Sequence, residues 1–296
     1  MGGTFLDETV VSAAGGGRYE GEIAEAWCLR PLPQGGVVSA IALRALAAEL
    51  DDAHQRLRTL HTTFAAQVTA GPVEVDVEVL RRGRSVSHLR GELRNPGATR
   101  GHLTTGIFGR SREGFAFTDL RPPVVPPPDD CPSYRDPLPP EAEAVLDPDE
   151  PPPPPFPFWE TRLEGRHALG HAFWEDYVPD RAERASWLRF DDPPMLEDGT
   201  LDPLALVVMA DVMPGAVGEK VGRTDRMWFA PSIDLTVHLL DDCRSPWVLA
   251  HNRARHAGDG YASADMALWD CGPDGTSAPR LVAYATQLFL FSFMGP

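Results

Sequence analysis

Long apolar runs are missing from this 296-residue sequence, and no stretch approaches the roughly 18 to 20 apolar residues that cross a bilayer. The first residues also lack the basic start and apolar core of a secretory signal peptide. With 43% hydrophobic and 24% charged residues, the composition is that of a globular protein. These features predict a soluble, cytoplasmic chain with no membrane partner.

Basic residues and cysteines are also scarce. Lysine and arginine together number 27 against 43 acidic residues, which gives a formal net charge of −16. Because nucleic acids are bound through clustered cations, we expect no nucleic-acid partner. The 4 cysteines are far apart in sequence and form no CxxC pair, so we expect free thiols.

Several motifs that carry catalysis or cofactors are absent. There is no G-x-S-x-G elbow, no phosphate-binding loop and no G-x-G-x-x-G motif after a strand. His167 and His171 are four residues apart, but no glutamate follows the first histidine and no third ligand is evident. The sequence therefore predicts no cofactor and no metal site.

What the sequence contains is one pattern of a helix followed by strands, and this pattern occurs twice. In the first half, we predict a helix over 37–50 and strands over 19–29, 60–68, 73–83, 85–94 and 102–109. In the second half, we predict a strand over 183–192, a helix over 202–215 capped by Asp202, and strands within 232–240, 247–270 and 278–291.

A proline-dense stretch separates the two halves, and proline is unfavourable inside helices and central strands. We therefore predict an N-terminal domain at 1–119, an extended linker at 120–158 and a C-terminal domain at 159–296. The fold class is α+β: a tandem of two antiparallel sheets, each wrapping one long helix.

Several motifs, in this order, resemble the thioesterase-like superfamily of double-hotdog proteins, and in particular the acyl-CoA thioesterases of the thioesterase II type. They are PQGGVVSAIALRAL in the first half and, in the second, ADVMP, FAPSIDLTVHLL, RHAGDGYASADMALWD and LVAYATQLFL. Each motif is weak alone, whereas their order is specific. The resemblance covers nearly the whole chain except the linker.

The resemblance implies that an aspartate, a hydroxyl residue and a glutamine hold the attacking water. Transferred to this sequence, these residues are Asp211, Ser232 and Gln287, with serine where the thioesterase II type has threonine. The backbone N–H groups at Gly35 and Gly36, at the predicted start of the first helix, are candidate oxyanion donors.

The expected activity is hydrolysis of an acyl-CoA or acyl-carrier-protein thioester, in which CoA is part of the substrate. Two alternatives remain open at this point. One is a hotdog dehydratase or hydratase, and the other is a non-catalytic hotdog that binds acyl thioesters or polyketides. Exposed sheet edges could also pair with a second copy, which leaves a homo-oligomer open.

Overall fold

The computed structural model describes residues 3–29, 31–143, 156–172, 174–224 and 226–293. The strands are β1 (Ser12–Gly15), β2 (Arg18–Ile23), β3 (Arg56–Phe64), β4 (Gly71–Arg81), β5 (Val86–Arg94), β6 (His102–Gly109), β7 (Leu163–Leu169), β8 (Glu183–Phe190), β9 (Trp228–Phe229), β10 (Asp234–Leu239), β11 (Val248–Gly258), β12 (Tyr261–Asp270), β13 (Arg280–Leu290) and β14 (Ser292–Phe293). The helices are α1 (Phe5–Glu8), α2 (Gly35–Leu50), α3 (Pro140–Glu143), α4 (Pro157–Thr161), α5 (Pro203–Ala210) and α6 (Gly215–Val221). No helix within these ranges is long and apolar enough to cross a membrane.

Twelve of these strands form one continuous sheet, in the order β1-β2-β4-β5-β6-β3-β10-β13-β12-β11-β8-β7. Each half of the chain contributes six neighbouring strands. The two sets join where β3 pairs antiparallel with β10, with Leu60 opposite Val237. The prediction of two separate sheets is therefore wrong, because the unpaired edges of β3 and β10 satisfy each other's backbone groups.

Helix α2 confirms the helix predicted over 37–50 and extends it to Gly35. The Gln34 side chain caps its start by accepting a hydrogen bond from the Val37 N–H at 2.9 Å. Its residues are buried on nearly every side, as expected for a helix wrapped by a sheet. The helix ends at Leu50, and the next residue, Asp51, adopts a left-handed conformation.

Among the described residues of the second half, no helix matches α2 in length, and the prediction of one continuous helix over 202–215 is wrong. Asp202 does cap α5, and its Oδ1 accepts from the Leu204 N–H at 2.9 Å. Helix α5 stops after eight residues, and α6 starts only at Gly215. Pro214 lies between them and has no N–H to continue the helical ladder. The break leaves Asp211 at the C-terminal end of α5.

Helices α2 and α5 pack against each other in antiparallel orientation. Near the start of α2, the Gly36 N–H contacts Asp211 at the end of α5. Further along α2, the Arg44 guanidinium contacts Asp202 at the start of α5. The two halves are thus joined by helix packing as well as by the sheet.

Residues 120–131 of the predicted linker lie against the face of the sheet opposite to the helices. The Trp187 indole N–H donates to the Pro126 carbonyl at 2.9 Å, and Cys131 packs in the same apolar cluster. The chain then runs beside β7, where the Tyr134 N–H donates to the Gly165 carbonyl at 2.8 Å. Residues 144–155 of the linker lie outside the described residues, and the domain boundaries stay a prediction.

Candidate active site

The structure brings together the three side chains that the sequence singled out. Asp211 lies at the end of α5, Ser232 lies just before β10, and Gln287 lies in β13. The Gln287 amide nitrogen donates to Asp211 Oδ1 and also to Ser232 Oγ, the latter at 2.8 Å. The Ser232 hydroxyl lies 3.5 Å from the same carboxylate oxygen. Residues from three separate elements thus converge on one carboxylate.

The Asp211 carboxylate is buried, with 8% of the residue exposed. Burial raises the pKa of Asp211 to about 6, because removal from water penalises the charged form. Hydrogen bonds from Gln287, Gly36, Gly35 and Ser232 act in the opposite direction and limit the rise. Among the described residues, no cation forms a salt bridge with Asp211. The carboxyl group therefore changes charge near neutral pH, as a general base requires.

Gly35 and Gly36 lie against this carboxylate, and neither position has room for a side chain. A Cβ at Gly36 would lie 2.7 Å from the Val207 carbonyl oxygen, and one at Gly35 would lie 2.9 Å from Asp211 Oδ2. The Gly36 N–H donates to Asp211 Oδ2 at 2.9 Å. In this structure the helix start holds the carboxylate, so an oxyanion role for these N–H groups stays a prediction that requires Asp211 to release them.

The sequence interpretation missed Gln34, which ties the two halves together at the site. Its buried amide nitrogen donates to the Val208 carbonyl at 2.9 Å and to the Asp211 carbonyl at 3.1 Å. Because the same side chain caps α2, it fixes the end of α5 relative to the start of α2. The Pro-Gln-Gly-Gly motif was the available signal, but only its glycines were interpreted.

One acceptor in the site stands unpaired. Gln287 Oε1 is buried, and no group in the described part of the chain donates a hydrogen bond to it. A buried acceptor without a partner is rare and points to a ligand or water. No described histidine forms a hydrogen bond or ion pair with Asp211, so the aspartate–histidine pair of a hotdog hydratase is not assembled there.

The candidate histidines do not assemble a metal site. His167 lies in β7, whereas His171 contacts Glu219 through Nδ1 at 2.8 Å. Within the described ranges, no group of three or more His, Cys, Asp or Glu side chains is arranged to hold a metal ion.

Two family models together cover most of the chain. The acyl-CoA thioesterase C-terminal domain matches residues 128–291, and the acyl-CoA thioesterase N-terminal domain matches residues 23–109. No curated protein matches the sequence significantly.

Solved structures with the same fold also exist. A conserved protein of unknown function with the hot dog fold from Alicyclobacillus acidocaldarius is 25% identical, with a TM-score of 0.76, over 99% of this chain and 98% of that one. Acyl-CoA thioesterase II TesB2 from Mycobacterium marinum is 20% identical, with a TM-score of 0.71, over 99% of each chain. At this identity, the second likeness shows the fold alone.

Proposed function

The chain belongs to the acyl-CoA thioesterase family and is a thioester hydrolase, and from this premise we propose that it cleaves an acyl-CoA by direct attack of water. The observation that carries the proposal is the buried Asp211 carboxylate, with Gln287 and Ser232 around it. A carboxyl group whose pKa is about 6 is largely ionised at pH 7 and accepts a proton readily.

We propose that the attacking water donates one O–H to Asp211 and the other to the unpaired Gln287 Oε1. Ser232 and the Gln287 amide nitrogen hold the carboxylate oxygen in place. This arrangement leaves a lone pair of the water oxygen directed at the thioester carbonyl carbon. Orientation of this kind supplies a large part of the rate enhancement in hydrolytic enzymes.

In the proposed reaction, the water oxygen forms the new C–O bond while its proton moves to Asp211. The tetrahedral intermediate then collapses, the C–S bond breaks and the proton passes from Asp211 to the leaving thiolate. The products are a carboxylic acid and CoA thiol, and no acyl-enzyme forms. The chain's own residues suffice for each proton transfer.

We also propose that each half of the chain is one hotdog unit, so that the whole is a tandem double hotdog. The six-strand sets and the antiparallel packing of α2 on α5 support this proposal. In this proposal, the first half supplies the start of α2, which holds the base, and the second half supplies the base, Asp211.

The direct test is thiol release from acyl-CoAs of increasing chain length, with the wild type and Asp211→Ala measured side by side. We expect turnover by the wild type and its loss in the variant. Absence of thiol release from every acyl-CoA would refute the proposed substrate class, and equal turnover by the variant would refute the role of Asp211.

A further inference from the structure

A cavity of about 390 Å³ lies on the helix-facing side of the second half of the sheet. Ser186, Asn252 and Met266, from three neighbouring strands, form its floor. Val212, in the break between α5 and α6, lines the side nearest the base. Tyr134 lines the cavity from the segment that precedes α3.

The cavity lies close to the proposed catalytic group in the sheet. Gln287 pairs with Ala264 of β12, and Met266, two residues along the same strand, pairs with Asn252 of β11. Asn252 therefore lies two strands away from Gln287 and is displaced by two residues along the strand direction. With strands about 4.8 Å apart and a rise of about 3.4 Å per residue, the backbones of the two residues are roughly 12 Å apart.

Asn252 has an acceptor that no described residue satisfies. The residue is 3% exposed, and its amide nitrogen donates to the Met213 carbonyl. Its Oδ1 is buried without a hydrogen-bond partner within the described ranges. The nitrogen is fixed by Met213, so the oxygen is left as the free end of the amide. Asn252 lines the cavity, and an unpaired buried acceptor in a lining residue is suited to a ligand that brings a donor.

The charged side chain that lines the cavity, Arg184, already has partners. Arg184 Nη1 lies 3.0 Å from Glu219 Oε1, and its Nη2 lies 2.7 Å from His167 Nδ1. Burial, together with the nearby Arg184 charge, lowers the pKa of His167 to about 4, so this ring is neutral at pH 7. The remaining hydroxyls, of Tyr134 and Ser186, are bonded to each other at 2.5 Å. Among the described residues that line the cavity, no spare cation is available for a carboxylate, and a neutral donor is the better match.

We propose that this cavity receives the far end of the acyl chain and selects acyl groups that carry a neutral hydrogen-bond donor, most simply a hydroxyl. With the thioester carbonyl beside Gln287, the roughly 12 Å between the Gln287 and Asn252 backbones corresponds to about ten bonds of an extended chain, which advances about 3.6 Å per three bonds. The inference rests on the proposed function, because it names the substrate class of the same site. Asn252 Oδ1 is the acceptor for the hydroxyl.

The test compares decanoyl-CoA with its ω-hydroxy derivative, in which the hydroxyl is ten bonds from the carbonyl carbon. We expect the wild type to favour the ω-hydroxy ester by roughly tenfold in kcat/KM. Asn252→Leu should bring this ratio close to one, whereas Met266→Leu, which alters the same cavity without removing a polar group, should keep it. The ratio of the two kcat/KM values does not change when the fraction of active enzyme falls, so partial misfolding of a variant would not produce the expected effect.

Equal kcat/KM values for the two esters in the wild type would overturn the inference and leave the proposed function intact. A preference that persists in Asn252→Leu would overturn it as well. If the wild type hydrolysed neither ester, the full acyl-CoA series would decide the proposed function, and calorimetric binding of both esters to Asp211→Asn would decide the cavity's role. Tighter binding of the ω-hydroxy ester supports the inference, and equal binding contradicts it.

Discussion

The two ends of α5 carry the same residue type in opposite surroundings. Asp202 begins the helix, where it accepts from the Leu204 N–H and contacts the Arg44 guanidinium. Asp211 ends the helix, where the partial charge of the helix opposes a carboxylate. The base is stabilised instead by the start of α2, through the Gly36 N–H. Asp202 therefore stabilises the fold, whereas Asp211 is the proposed base, and its burial raises its pKa.

The comparison shows why the break between α5 and α6 matters. In a continuous helix, Asp211 would be an interior residue, and the helix geometry would set the direction of its carboxylate. The break places it where residues of both halves converge. We infer that the site forms only when the two halves are joined, because neither half alone contains all of its residues.

The strongest test of this comparison is the same isosteric change at both ends of α5. Asp211→Asn should lower kcat/KM by about 10² to 10⁴, because an amide cannot accept the proton of the attacking water. Asp202→Asn should keep the activity and lower the free energy of unfolding by about 1 kcal/mol, since asparagine still caps the helix but loses its charge contact with Arg44. Thiol-release kinetics and thermal unfolding of both variants measure the contrast. Equal activity losses would contradict it.

The close packing of α2 against α5 next to the proposed base can be tested at Gly36. In Gly36→Ala, the new methyl would meet the Val207 carbonyl and the Val208 Cα at 2.7 Å, so α2 and α5 must separate. We expect a loss of about 1 to 3 kcal/mol in the free energy of unfolding, together with loss of activity.

Gly218→Ala is the matched control for this substitution. Gly218 lies inside α6, and a Cβ there would meet nothing within 4 Å. We expect a gain of about 0.5 to 1 kcal/mol with unchanged activity, because alanine restricts the unfolded chain and favours a helix. Urea unfolding and thiol release measure both variants. Equal effects of the two changes would show that the close approach at Gly36 does not matter.

The pH dependence of hydrolysis tests the proposed role of Asp211 further. Since the base acts in its ionised form, kcat/KM should fall as the pH drops through about 6 and reach a plateau above it. Gln287→Leu removes a hydrogen bond that favours the charged form, so its profile should shift to higher pH. A kcat/KM profile that is flat between pH 5 and 8 would contradict the assignment.

The raised pKa of Asp211 also affects stability. The protonated group favours the folded state at low pH, and this contribution is lost as the pH rises through about 6.

The smallest expected effect is at Ser232. Ser232→Thr keeps the hydroxyl next to Asp211, and we expect a change in kcat/KM of less than about threefold. Ser232→Ala removes the hydroxyl and should lower kcat/KM by about tenfold. Measurement of both variants on one acyl-CoA shows whether the hydroxyl or the side-chain shape matters.

Local patterns predicted the elements that depend on local signals. The apolar spacing over 37–50 and the Asp202 cap were correct because both features act within a few residues. The strand β7 was missed, since it follows the proline-rich stretch directly and its pairing with β8 carries no separate local signal. The helix break was missed because Pro214 was included at the end of an apolar run.

Contacts between the halves could not be read from the sequence. The β3–β10 pairing and the Gln34 bonds to α5 link residues that are about 170 positions apart, for which spacing gives no signal. The site residues were named from resemblance, and the structure adds how they meet. It also shows that the Gly36 N–H points at the base, which the motif alone did not indicate.

The central claim is that Asp211 is a base for water and does not itself attack the thioester. A single-turnover reaction in water enriched in ¹⁸O, with enzyme in excess over acyl-CoA, tests it directly by mass spectrometry of the released acid. Direct attack predicts one ¹⁸O atom in the acid from the first turnover. Attack by the carboxylate, followed by hydrolysis of the resulting anhydride at the Asp211 carboxyl carbon, would place an unlabelled oxygen from Asp211 in the acid and ¹⁸O in the protein, and that result would contradict the account.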